Sequence, residues 1–180
     1  SAFSEVPQIF GREKEVKHLV QQLGVHTSKR GRTDDEARAL CVLPIFGMGG
    51  VAKTTIAQQI CDDAKVKEHF DCIIWTCVSD DFDIKRLIKE ILEQMEQDTT
   101  FDNLNNHVRK LAHSVESKKL LLDLDDMWGD ALRNGGAEWD KFCVPLRNAL
   151  QGSMILVTTR FFEVANLVST GMKSFELEGL

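Results

Sequence analysis

Residues 47–55, GMGGVAKTT, place three glycines, a lysine and two threonines where a short apolar run gives way to a helix-like stretch. The pattern matches G-x-x-x-x-G-K-[ST] at every specified position except one. Glycines let backbone N–H groups converge on a polyphosphate, and a following helix N-terminus favours the anion. Lys53 can bridge β- and γ-phosphates, and Thr54 can offer a hydroxyl to Mg²⁺. The departure is Ala52, which stands where the pattern has glycine. Its β-carbon is expected to crowd the phosphate or to resist a positive φ, at roughly 1 kcal/mol or more, so that Ala52→Gly tightens ADP or ATP binding.

A phosphate site of this kind needs a carboxylate, and residues 120–126, LLLDLDD, supply one at the end of an apolar run. Asp125 is the expected metal-shell residue, with Asp126 positioning or activating a water. Strand alternation puts Asp123 on the same face as Asp125, roughly 6.6 Å earlier, inside a run that should be buried. An unpaired carboxylate there is costly and tends to become neutral or find a partner; no function is assigned to it. Residues 153–160, SMILVTTR, form another apolar run that ends in two hydroxyls and Arg160. At the same sheet edge that guanidinium could reach a γ-phosphate and tell ATP from ADP.

The elements that must position these groups follow from periodicity. The apolar runs 40–46, 72–78, 120–124 and 154–157 read as strands buried on both faces, as a parallel sheet requires. Between them, Asp83 can cap a helix carrying Leu87, Ile88, Ile91, Leu92 and Met95 on one stripe, and Asp102 another carrying Leu104, Val108, Leu111, Ala112 and Val115. Residues 138–150 have similar spacing, interrupted by Pro145, and Val16, Leu19, Val20 and Leu23 mark an entry helix. Strand and helix alternate along the chain, which predicts an α/β doubly wound parallel sheet with helices on both faces. Residues 26–38 are charged and read as an exposed loop; Trp75 and Trp139 read as core aromatics.

Composition bounds the rest. The chain has 180 residues, a formal net charge of -6, 43% hydrophobic and 28% charged residues, the arithmetic of one globular domain. Its acidity argues against broad nucleic-acid binding. Five scattered cysteines without a C-x-x-C pair, and no long apolar stretch, read as a soluble cytoplasmic protein without a membrane role. The five histidines show no zinc-ligand pairing. The chain opens on Ser1 rather than Met and is expected to be a piece of something longer.

Five ordered segments, FGRE (10–13), GMGGVAKTT, FDCIIWTCVSDDFD (70–83), KKLLLDLDDMW (118–128) and SMILVTTR, strongly resemble the nucleotide-binding part of plant NB-ARC disease-resistance proteins. These are intracellular NLR immune receptors. Trp128, with the W-x-x-V-S-x-x-F-D pattern, resembles the class with an N-terminal coiled coil. The resemblance implies a P-loop NTPase fold of the STAND (AP-ATPase) type, with residues 1–180 as the nucleotide-binding subdomain and 1–25 as an entry segment. It implies ADP at rest, exchange for ATP on effector perception, self-oligomerisation and slow ATP hydrolysis at most. By position it assigns nucleotide contacts to Gly47, Met48, Gly49, Gly50, Val51, Ala52, Lys53, Thr54 and Thr55, with Ile9, Phe10 and Arg12 at adenine or ribose. Thr54 and Asp125 would hold Mg²⁺, Asp125 and Asp126 serve hydrolysis, and Arg160 sense the γ-phosphate. Implied partners are the receptor's own coiled coil, ARC subdomains and leucine-rich repeats. The family's G-L-P-L and M-H-D motifs are absent from this sequence, so the chain is expected to hold nucleotide less securely. Two rival readings stay open: a P-loop ATPase or kinase with true turnover, and a degenerate scaffold blind to nucleotide.

Overall fold

The computed structural model describes residues 12–24, 40–47, 50–79, 81–100, 103–170 and 174–177. The expected contacts Ile9, Phe10, Met48 and Gly49, and the charged loop 26–38, lie outside the described residues.

Five parallel strands, β1 (Cys41–Phe46), β2 (Cys72–Ser79), β3 (Leu120–Met127), β4 (Met154–Thr159) and β5 (Phe175–Glu176), form one sheet in the order β2-β3-β4-β1-β5. Helices α1 (Glu13–Gln22), α2 (Gly50–Asp62), α3 (Ala64–His69), α4 (Ile84–Gln94), α5 (Leu104–Val115), α6 (Ala137–Leu146) and α7 (Phe162–Val168) connect them. Side-chain alternation divides the core in two. Leu120, Leu122 and Leu124 of β3, with Ile155 and Val157 of β4, pack against Leu87 and Ile91 of α4, Leu111 of α5 and Phe142 of α6. Leu121, Leu156, Leu43 and Ile45 face the other way, toward Leu19 of α1, Ile56 and Ile60 of α2 and Val66 of α3. Odd-numbered residues of β3 therefore look at α2, the helix that follows the glycine turn.

Asp83 caps α4, its carboxylate accepting from Arg86 N–H at 3.3 Å. The α5 cap is Asn103, which accepts from Asn105 N–H at 2.9 Å, so the helix starts one residue later than a cap at Asp102 would set it. Pro145 sits in the last turn of α6 and the helix stops at Leu146, short of the expected 150; Leu150 is exposed. A 3₁₀ segment, Gly129–Gly136, broken at Arg133, Asn134 and Gly135, leads into α6. It was not anticipated, and neither were α3, α7 or the two-residue β5.

The two flanks of the sheet manage their open backbone groups differently. On β1 the Val42 N–H donates to Thr170 Oγ1 at 2.8 Å and the Phe46 C=O accepts from Leu177 N–H at 2.8 Å, so the backbone groups of alternate residues 42, 44 and 46 point away from β4. Pro44 falls on this outward set, where a missing N–H breaks no ladder bond. Strand β2 is an edge, not a strand buried on both faces. Trp75 is 40% exposed rather than core, while Trp139 is buried. The Gln94 side chain meets the Trp75 backbone at both ends, accepting from its N–H at 3.3 Å and donating to its C=O at 2.7 Å. Arg86 donates to the C=O of Cys77 and of Val78, which occupies much of an edge that could otherwise recruit a foreign strand.

Candidate functional site at the carboxyl edge of the sheet

The glycine turn begins where β1 ends. Gly47 has φ +153° and its N–H donates to the Thr159 C=O at 3.2 Å. A β-carbon at this position would lie 2.5 Å from the Leu177 C=O, so the close approach of two backbones admits glycine alone. Gly50 opens α2.

Lys53, in the first turns of α2, is 2% exposed and its Nζ donates back to the Gly47 C=O. The lysine thus closes the turn into a ring of backbone and side chain. Burial, with the Arg160 charge beside it, pulls its pKa below the ordinary lysine value, partly offset by Asp126 and Asp125. Two cations and two carboxylates therefore share one small region of the sheet edge.

The next residue meets the acidic strand. Thr54 Oγ1 donates to the Asp125 carboxylate, at 2.9 Å to Oδ2 and 3.1 Å to Oδ1. Thr158 Oγ1, from β4, donates to Asp125 Oδ1 at 2.5 Å, and the Asp126 N–H donates to that same hydroxyl at 2.8 Å. Thr159 Oγ1 donates to the Met127 C=O at 2.6 Å. The pairing of β3 with β4 slips between Leu124 and Met127, and Asp126 adopts φ +58° there. A break of this kind re-aims side chains at a strand end, and the two threonines of β4 pin it. Sequence reading named Thr158 and Thr159 as hydroxyls at a strand end without this role. They lie 33 and 32 residues from the groups they bind, so only the strand register brings them there.

Arg160 follows β4 and is exposed, with its guanidinium carbon 5.8 Å from the centre of the Trp128 ring. Thr55 is buried. Arg12 is buried at the start of α1, where its Nη1 donates to Glu15 at 2.8 and 2.9 Å. Ala52 corrects the backbone half of an expectation. It lies within α2 and is absent from the positive-φ positions, and it packs against the layer formed by Ile56, Leu43 and their neighbours. No left-handed backbone angle is penalised by its β-carbon.

Asp123 behaves as buried carboxylates do. It is fully buried, its Oδ2 faces the Cys61 thiol at 3.9 Å, and its Oδ1 has no partner. Burial, with the nearby Asp125 charge, drives its pKa well above the usual carboxylate range. The same burial pushes Cys61 up to about 12.

A glycine turn feeding a helix N-terminus, a lysine folded onto that turn and a threonine bonded to the acid of the neighbouring strand define a P-loop NTPase fold. The chain is a member of the NB-ARC domain family, whose model matches residues 13–180. It is 38% identical to disease resistance protein RGA2 of Solanum bulbocastanum over 176 residues, covering 97% of this chain and 17% of that protein. Disease resistance RPP13-like protein 4 of Arabidopsis thaliana is 33% identical over 129 residues, 72% of this chain and 15% of that protein. The chain thus spans less than a fifth of the length of these relatives. Among solved structures, the Drosophila ORC bound to DNA shares the fold, with a TM-score of 0.58 at 12% identity over 92% of this chain and 41% of that one.

Proposed function

We propose that this chain binds ADP and ATP with Mg²⁺ and acts as the nucleotide-operated switch of a plant immune receptor. The observation that carries the reading is the convergence of Lys53, Thr54 and Asp125, from two elements far apart in sequence, at the end of the glycine turn. The hydroxyl of Thr54 and the carboxylate of Asp125 are hard oxygen donors on one spot, the chemistry Mg²⁺ selects. When bound, Mg²⁺ neutralises charge on phosphate oxygens.

Each residue then has a task. Lys53 gives up its hold on the Gly47 carbonyl to meet phosphate oxygens, and its lowered basicity comes first from burial and then from the Arg160 charge, both of which an incoming polyanion would offset. Thr158 gives Asp125 a second hydroxyl donor besides Thr54, leaving the carboxylate little freedom to rotate. Asp126, turned by its left-handed backbone, orients water for slow hydrolysis that resets the switch. Arg160 tests for a γ-phosphate. In the receptor, effector perception would favour the ATP state and self-assembly, with the coiled coil, ARC subdomains and leucine-rich repeats as partners in cis and the cytoplasm as the working compartment.

Acid extraction of the purified chain followed by chromatography should release ADP, and Lys53→Ala should lose most nucleotide affinity while keeping its circular dichroism spectrum. A chain that releases none and binds none on titration, or a Lys53→Ala variant with unchanged ADP affinity, refutes the reading.

A further inference from the structure

Arg160 has an unusual neighbourhood for a cation beside two acids. No carboxylate pairs with it among the described residues, although Asp125 and Asp126 both act on nearby Lys53. The group beneath it is the Trp128 ring, 5.8 Å from the guanidinium carbon. Trp128 is held in turn by Phe161, the residue after Arg160, at 5.7 Å between ring centres and 57° between planes. The ring that supports Arg160 is thus braced by the chain that carries Arg160. Trp128 directly follows β3, the strand that bears Asp125 and Asp126.

A ring face and a carboxylate hold a guanidinium in different ways. A carboxylate occupies the N–H donors at its edge and cancels its charge. An aromatic face attracts the cation through its quadrupole and leaves charge and edge donors available. Lys53 lies near enough for Arg160 to lower its pKa, so the two cations repel while the site lacks phosphate. Without some attraction on its far side, a long exposed side chain would drift toward solvent.

We propose that Trp128 is a positioning residue for Arg160, holding the guanidinium at the sheet edge with its donors free for the anionic group that distinguishes ATP from ADP. The inference rests on the nucleotide reading above. Exposed cation–π contacts have a size that corresponds to roughly two- to fivefold in binding.

The test uses the 180-residue chain and calorimetric titration with Mg²⁺-ATP and with ADP, read as the ratio of the two dissociation constants. Trp128→Leu should shift that ratio against ATP by roughly two- to fivefold, while Trp128→Phe, which keeps a ring face, should retain most of the preference. In an Arg160→Ala background, Trp128→Leu should add nothing. A shift of equal size with and without Arg160, or no shift in Trp128→Leu, overturns the proposal. If Trp128→Leu does not fold, the decision falls to Trp128→Phe: a preference as low as that of Arg160→Ala overturns it, and a preserved one supports it. Arg160→Ala with an unchanged ratio overturns the proposal as well, since no discrimination then passes through the guanidinium; a parent chain that binds neither nucleotide instead removes the nucleotide reading itself, a distinct outcome.

Discussion

Asp123 and Asp125 stand two residues apart on the same face of the same strand, both looking at α2, and they live in opposite conditions. Asp125 accepts from two hydroxyls on two elements, whereas Asp123 has one weak thiol contact and an oxygen without a partner. Position along the strand makes the difference. Asp125 lies where β3 slips out of register with β4 and the helix offers its first turns; Asp123 lies where the sheet is regular and α2 is covering a core. The same side chain is satisfied by two hydroxyls at a sheet edge and is a liability one pleat inside it.

Several changes would sharpen or break that contrast. The largest concerns the thiol beside Asp123. With Cys61 pushed up to about 12, its thiolate fraction at pH 8 is on the order of a thousandfold below that of an ordinary cysteine. Mass spectrometry after brief iodoacetamide treatment should find Cys61 spared in the native chain and modified in the denatured one. Equal labelling in both would mean that the environment of Asp123 is wet. Next in size, Asp123→Val should raise stability by about 1–3 kcal/mol at neutral pH, because it replaces an orphaned polar group with one of strand-forming shape. Thermal unfolding would record the gain, and a fall in melting temperature would show that the carboxyl is needed where it is. The smallest effect belongs to Ala52→Gly. In a helix that packs its β-carbon, glycine should cost about 0.5–1 kcal/mol without tightening ADP binding. A clear gain in ADP affinity would favour the steric argument that Ala52 crowds the phosphate.

Much of this site was legible in the sequence, since GMGGVAKTT and the acidic strand carry their chemistry in adjacent residues. The four main strands were legible for the same reason, as short apolar runs bounded by turns. What escaped depends on neighbours in space. CIIWTCV is as apolar as the central strands, and only the strand order makes it an edge that exposes Trp75. The Thr158 to Asp125 bond needs the register of β3 against β4. Asp102 and Asn103 are both good caps, so composition could not choose between them. Strand β5 is two residues long and gives no periodic signal, yet it places Leu177 against Gly47 and makes that glycine obligatory.

The central claim is that Asp125, not Asp123, makes the sheet edge a cation and phosphate site. Calorimetric titration of ATP, with and without Mg²⁺, into the parent chain, Asp125→Ala and Asp123→Val tests it most directly. Mg²⁺ should strengthen ATP binding by the parent and by Asp123→Val, and should have lost that effect in Asp125→Ala. An Asp125→Ala variant that keeps the parent's Mg²⁺ dependence, or an Asp123→Val variant that loses it, would contradict the account.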